Sequence, residues 1–165
     1  MTNQTSVMSR KPLPGNGVSG VPTLWIVGSV DEDRAHGSVF DQFPWRTHRV
    51  RNRSEFARHM HSGHARVVVC ERDLPDGDWR DVLEIAASML SPPPVIVTSR
   101  LADEYLWAEV LNLGGYDVLA KPLDRQEVGR SLNLAWERWT NPRNSAQHAT
   151  SVPVCKGDPI LCSTA

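Results

Sequence analysis

Apolar positions between residues 22 and 140 fall into short blocks that alternate with amphipathic stretches. TLWIV, from Thr23 to Val27, has the length and apolar content of a buried strand, and a weak helical pattern follows from Asp31 to Asp41, interrupted by Gly37. Ser29 and Glu32 have capping-box spacing at its start. WRTHRV, from Trp45 to Val50, alternates and predicts a second strand, after which Asn52 and Glu55 open a second helix by the same capping logic. RVVVCE, from Arg66 to Glu71, is apolar throughout until its terminal charge, which suits a parallel strand covered on both faces.

The second half repeats the scheme. In LPDGDW, Pro75, Asp76 and Gly77 are turn residues, and Asp78 can cap a helix running to about Leu90. Val95 to Thr98 predicts a fourth strand, and Leu106, Val110 and Leu113 recur at the spacing of a fourth helix. GGYDVLAKP predicts a fifth strand ending near Lys121. Asp124 and Glu127 then box the start of a last helix, in which Val128, Leu132, Ala135 and Trp139 form one apolar stripe. Five strands, each followed by a helix, imply an α/β fold with a five-stranded parallel sheet and helices on both faces, because each right-handed crossover needs a helix to return the chain. The doubly wound, flavodoxin-like (βα)5 arrangement with strand order 2-1-3-4-5 fits this pattern. Ligands of such sheets bind outside the carboxyl ends of the first and third strands, here Val27-Gly28-Ser29 and Cys70-Glu71.

Composition narrows the picture. A chain of 165 residues with 40% hydrophobic content suits one globular domain, placed at residues 22–140. Pro12, Pro14, Gly15, Gly17 and Gly20 among polar residues mark 1–21 as a disordered tail, and Pro142, Pro153 and Pro159 mark 141–165 likewise. With 18 basic and 19 acidic side chains, net charge argues for neither nucleic acid nor membrane binding. The start of the chain lacks the apolar core of a signal peptide and no stretch reaches the length of a membrane span, so a cytoplasmic protein is expected. Cys70 sits in an apolar run and reads as an inert buried thiol. Cys155 and Cys162 lie in a polar tail without a metal-binding spacing and read as free thiols.

Three segments together carry a resemblance. VVVCERDLPDGDW resembles the third strand and following loop of response-regulator receiver domains, whose pattern is an apolar strand, Asp, two residues, Leu-Pro or Met-Pro, and Gly. VIVTS resembles their fourth strand, which ends in Thr or Ser, and GGYDVLAKPLDRQEV resembles their fifth, with its Lys-Pro. The matches occur in the right order over residues 23–139. The resemblance implies two-component, phosphorelay signal transduction, in which an aspartate accepts a phosphoryl group, acidic side chains hold magnesium, and a hydroxyl and a lysine take the remaining charge.

Position by position, the sequence departs from that set. Counting back four residues from Pro75 places the acceptor position on Glu71, and the acidic pair falls on the uncharged Gly28 and Ser29. The hydroxyl maps to Thr98, the lysine to Lys121 with Pro122 after it, and the aromatic switch position to Val118. Loss of the magnesium site and of phosphorylation is therefore expected, making this a pseudo-receiver without catalytic residues, metal or cofactor. A longer first strand would instead bring Asp31 and Asp33 to the metal position, and Asp73 is a further carboxylate near Glu71. Glu71 has two readings: a fixed mimic of the phosphorylated state that holds Thr98 and Lys121, or a structural ion-pair partner of Lys121. By resemblance, Lys121-Pro122 is expected to be cis.

Other features widen the alternatives. Arg46, Arg49, Arg51, Arg53, Arg58 and Arg66, with His48, His59, His61 and His64, stand against the single acid Glu55 between residues 46 and 66. That segment reads as a solvated surface or as a contact for nucleic acid or an acidic partner, and its histidines lack the neighbours of a metal site. Trp107 and Leu111 lie one step off the core stripe of the fourth helix, on a face that receivers use to meet partners. The leading expectation is a phosphorylation-independent module that binds a protein, either a histidine kinase or another regulator, or pairs with a second copy through the fourth helix, fifth strand and fifth helix. The alternatives are a phosphorylatable receiver using another carboxylate, and a nucleic-acid-binding regulator working through residues 46–66. No DNA-binding domain is expected in 141–165, which are few and polar.

Overall fold

The computed structural model describes residues 21–28, 38–60 and 65–141. Five parallel strands form the main sheet: β1 (Thr23–Val27), β2 (Arg46–Val50), β3 (Val67–Glu71), β4 (Val95–Ser99) and β5 (Asp117–Ala120). Their spatial order is β2-β1-β3-β4-β5, the flavodoxin-like order expected from the sequence. Four α-helices are described: α1 (Arg53–Met60), α2 (Trp79–Ala87), α3 (Glu104–Asn112) and α4 (Arg125–Thr140). The helix expected over Asp31 to Asp41 falls mostly outside the described residues, and its described end is a 3-10 turn over Val39–Gln42, capped by Ser38. The helices called fourth and fifth in the sequence pattern are thus α3 and α4.

Strand periodicity sorts the core into two layers. Trp25, Val27, Val68, Cys70, Val95, Val97 and Val118 face one side, where they meet Phe56 and Met60 of α1, Trp79, Val82 and Ala86 of α2, and Leu106 and Val110 of α3. Leu24, Val67, Val69, Ile96 and Leu119 face the other, against Phe40 of the 3-10 turn and Val128, Leu132 and Ala135 of α4. Both faces of β3 are therefore buried, which is why its sequence does not alternate.

Caps set the helix starts. The Asp78 side chain accepts from Arg80 N, and Asp81 returns a bond to Asp78 N, a complete capping box at α2. At α1, Asn52 accepts from Glu55 N, but the Glu55 carboxylate reaches the amide of Arg51 rather than of Asn52. Asp76, in the loop after β3, accepts from Arg53 N, Ser54 N and Ser54 Oγ. These bonds fasten the β3–α2 loop to the start of α1 and hold the Asp76 carboxyl below its ordinary value, chiefly through the Ser54 hydroxyl.

Several sequence expectations need correction. Pro75 and Asp76 are turn residues as expected, but Gly77 is not: it belongs to a miniature antiparallel hairpin in which Asp73–Leu74 pairs with Gly77–Asp78. Helix α2 stops at Ala87, where the Ser88 hydroxyl donates to Ile85 O, and Leu90 beyond it is fully exposed. Leu113 is not a core residue: α3 ends at Asn112, Leu113 is its C-cap, and its side chain is exposed. Trp139 leaves the buried stripe of α4, stacking on Trp136 beneath the Arg66 guanidinium.

Candidate functional site

Parallel pairing puts the ends of β1, β3, β4 and β5 side by side, and the residues singled out by the sequence sit on those ends. Glu71 closes β3 in register with Thr98 of β4. Lys121 follows β5, held by its amide to Ser99 O at 2.9 Å, and Lys121-Pro122 is cis, as the resemblance led one to expect. The Lys121 ammonium donates to Glu71 Oε1 at 2.5 Å, with both side chains about four-fifths buried, 17% and 21% exposed respectively.

Gly28 explains how a glutamate fits there. Its φ is +151°, in the region that favours glycine, and its amide donates to Val50 O at the end of β2. A β-carbon on Gly28 would lie 2.6 Å from Glu71 Cγ and 2.8 Å from its Cδ and Oε2. The glutamate side chain therefore occupies the space that a side chain at position 28 would need. An acidic residue at 28 and Glu71 in its present rotamer exclude one another.

The other mapped groups divide. Thr98 is buried, and its hydroxyl donates to Cys70 O at 3.3 Å, so it is turned to the β3 backbone rather than to Glu71. Val118 is a core residue. Ser29, Asp31, Asp33, His61, His64, Cys155 and Cys162 lie outside the described residues. β1 itself ends at Val27. Asp73 is exposed on the hairpin. Cys70 is a free, fully buried thiol whose pKa is pushed far up by burial and then by the charge of Glu71.

Magnesium takes oxygen ligands in octahedral geometry and keeps several waters. The described residues do not fit it: Gly28 offers no side-chain oxygen, the Glu71 carboxylate is engaged by an ammonium, and no group of three or more acidic, His or Cys side chains is placed to hold a metal ion. The space between Gly28, Glu71, Thr98 and Lys121 is about 20 Å³, room for about one water. Outside it opens a shallow depression of about 260 Å³, into which Arg72, Arg100 and Asp73 also face.

Three arginines of the basic segment have partners in the fold, while Arg46, Arg51 and Arg58 are exposed. Arg49 pairs with Asp41 at 2.9 Å, Arg53 with Asp81 at 3.4 Å, and Arg66 stacks on Trp139 at the other end of the sheet. His48 stacks on Trp25 with ring centroids 4.7 Å apart, and His59 tilts over the same indole. On α3, Trp107 is 51% exposed and Leu111 is also exposed, with Tyr105 and Leu101 beside them in sequence. Trp107 and Leu111 were legible from the helix spacing; Tyr105, on the other flank of the Leu106–Val110 stripe, and Leu101, before the helix begins, were missed because they add nothing to that stripe. No helix of the described residues is long and apolar enough to cross a membrane.

No protein-family model matches the chain, and no curated protein matches it either. Solved structures do. The signal receiver domain of an HD domain-containing protein from Pseudomonas fluorescens is 23% identical, with a TM-score of 0.67, over 81% of this chain and 99% of that one. A two-component response regulator from Clostridium difficile is 19% identical with a TM-score of 0.61, over 71% and 97% of the two chains. A response regulator receiver domain protein from Clostridium thermocellum is 17% identical with a TM-score of 0.62, over 72% and 96%. At these identities the likeness establishes the fold: the chain has the architecture of a receiver domain.

Proposed function

We propose that residues 22–140 form a receiver-like domain of two-component signalling that has given up phosphoryl transfer and works by binding another protein. The observation that carries this reading is the Glu71–Lys121 pair lying over Gly28: where the resemblance maps the acceptor and one of the metal-binding acids stand an internal ion pair and a residue without a side chain. A site of this kind has no phosphoryl ligand to discriminate between two states, so the domain presents one arrangement to its partner. It has no catalytic residues and no magnesium requirement, and it works in the cytoplasm. The binding face is that of α3, β5 and α4, with Trp107 as its anchor, since exposed aromatics supply much of the energy at interfaces. The partner is a histidine kinase, another regulator, or a second copy of this chain. Glu71 reaches only one of the two groups a phosphoryl group would engage, Lys121 and not Thr98, which favours the structural ion pair over the mimic.

The test is recovery of partners by pull-down with and without magnesium and a small phosphodonor, repeated with Trp107→Ala and with the triple change Arg49→Ala, Arg51→Ala, Arg53→Ala. Binding should be indifferent to the phosphodonor and fall with Trp107→Ala. Binding that needs the phosphodonor, or that survives Trp107→Ala and disappears with the arginine changes, overturns the assignment.

A further inference from the structure

We propose a second ligand site at the opposite end of the sheet, a cleft suited to a small planar aromatic anion with the chemistry of a nucleoside monophosphate. The cleft lies where β4 and β5 begin and α4 ends, and shares no residue with the Glu71–Lys121 site. Its volume is about 600 Å³, within the range of roughly 300–1,000 Å³ typical of small-molecule sites.

Its walls are pre-shaped. Pro92, Pro93 and Pro94 form one side, each with a fixed φ, and Pro94 is pinned through its carbonyl to Val68 N at 3.0 Å. Tyr116, held by its amide to Val95 O at 2.7 Å, and Trp139, stacked on Trp136 at 5.7 Å, bring two aromatic rings. A site whose groups are already ordered loses little conformational freedom on binding.

Its charge selects the ligand. The Arg138 guanidinium lies 5.6 Å from the Tyr116 ring centroid, and Arg66 lies 4.2 Å from that of Trp139. Among the described residues no carboxylate lines the cleft, and neither arginine forms an ion pair with a carboxylate. The acids that act on Tyr116 are Asp117, which accepts from the Ser131 hydroxyl at 2.7 Å, and Glu137 on the far side of Arg138 in sequence. Burial raises the Tyr116 phenol above its ordinary value, so it remains a proton donor at neutral pH. The apolar proline wall matches a nucleobase, and the Arg138 guanidinium that lines the cleft matches a phosphate.

The experiment is isothermal titration of the full chain with adenosine monophosphate, adenosine and inorganic phosphate in turn. The monophosphate should bind saturably, with adenosine and phosphate alone weaker. Arg138→Glu, an exposed change that should leave the melting temperature unaltered, should weaken the monophosphate about tenfold, the equivalent of one charge-assisted contact, while Lys121→Ala should leave it unchanged. The absence of saturable binding to millimolar concentration, affinity that survives Arg138→Glu, or affinity that falls with Lys121→Ala overturns the proposal.

Discussion

At the scale of single residues, position 28 and position 71 are one decision. Gly28→Ala adds a methyl 2.6 Å from Glu71 Cγ and strains a φ of +151°, so it should cost about 1–3 kcal/mol of stability in urea denaturation. Combined with Glu71→Ala, part of that loss should return, because the clashing carbons are gone while the backbone strain persists; strictly additive losses would deny the contact. The sequence shows that Gly28 lacks a charge and that Glu71 is a methylene longer than aspartate. It does not show that the first permits the second, since the two residues meet only after β1 and β3 pair. Asp76 gives a pH prediction. Its folded pKa is depressed, so its contribution is complete above the ordinary carboxylate value and is lost as pH falls through the depressed one. Asp76→Asn should lower the melting temperature at neutral pH, with the difference closing as the solution is acidified. A difference that stays constant down to strongly acid pH would remove the carboxylate from that role.

At the scale of elements, strands were the most legible part, because three of the five, β1, β3 and β4, are largely apolar runs with a neighbouring strand on each side and their bounds follow from where polarity resumes. Helix ends were harder. Leu113 keeps helical spacing with Leu106 and Val110, yet the turn at Gly114, with a φ of +95°, takes the chain away from α3 and leaves Leu113 in solvent. Leu90 was overcounted for a related reason, since Ser88 closes α2 and Pro92 prevents its resumption. The two sides of α3 should therefore respond differently. Leu106→Ala, at a position 6% exposed, should cost about 2–5 kcal/mol, and Trp107→Ala should change stability by under about 0.5 kcal/mol. Chemical denaturation of both variants checks this, and a large loss with Trp107→Ala would mean that the indole belongs to the core edge rather than to a binding face.

At the scale of the whole molecule, the sheet separates two ends with different character. The carboxyl end gathers residues that the sequence named, because strand order alone brings Gly28, Glu71, Thr98 and Lys121 together. The opposite end gathers Arg66, Tyr116, Arg138 and Trp139 from three distant segments, and no local spacing announces that meeting. The same long-range placement takes Arg66 to Trp139 at that end and pairs Arg49 and Arg53 with Asp41 and Asp81, contacts that the density of arginines in 46–66 does not announce. The proposed function requires the carboxyl end to be closed to phosphoryl chemistry. Intact mass measured after incubation with magnesium and a small phosphodonor tests this directly, on the wild type and on Glu71→Asp, which places an aspartate at the position the resemblance maps to the acceptor while Gly28 still offers no side-chain oxygen. Neither protein should gain the mass of a phosphoryl group. A hydroxylamine-sensitive adduct on the wild type, or full phosphorylation of Glu71→Asp, would contradict it.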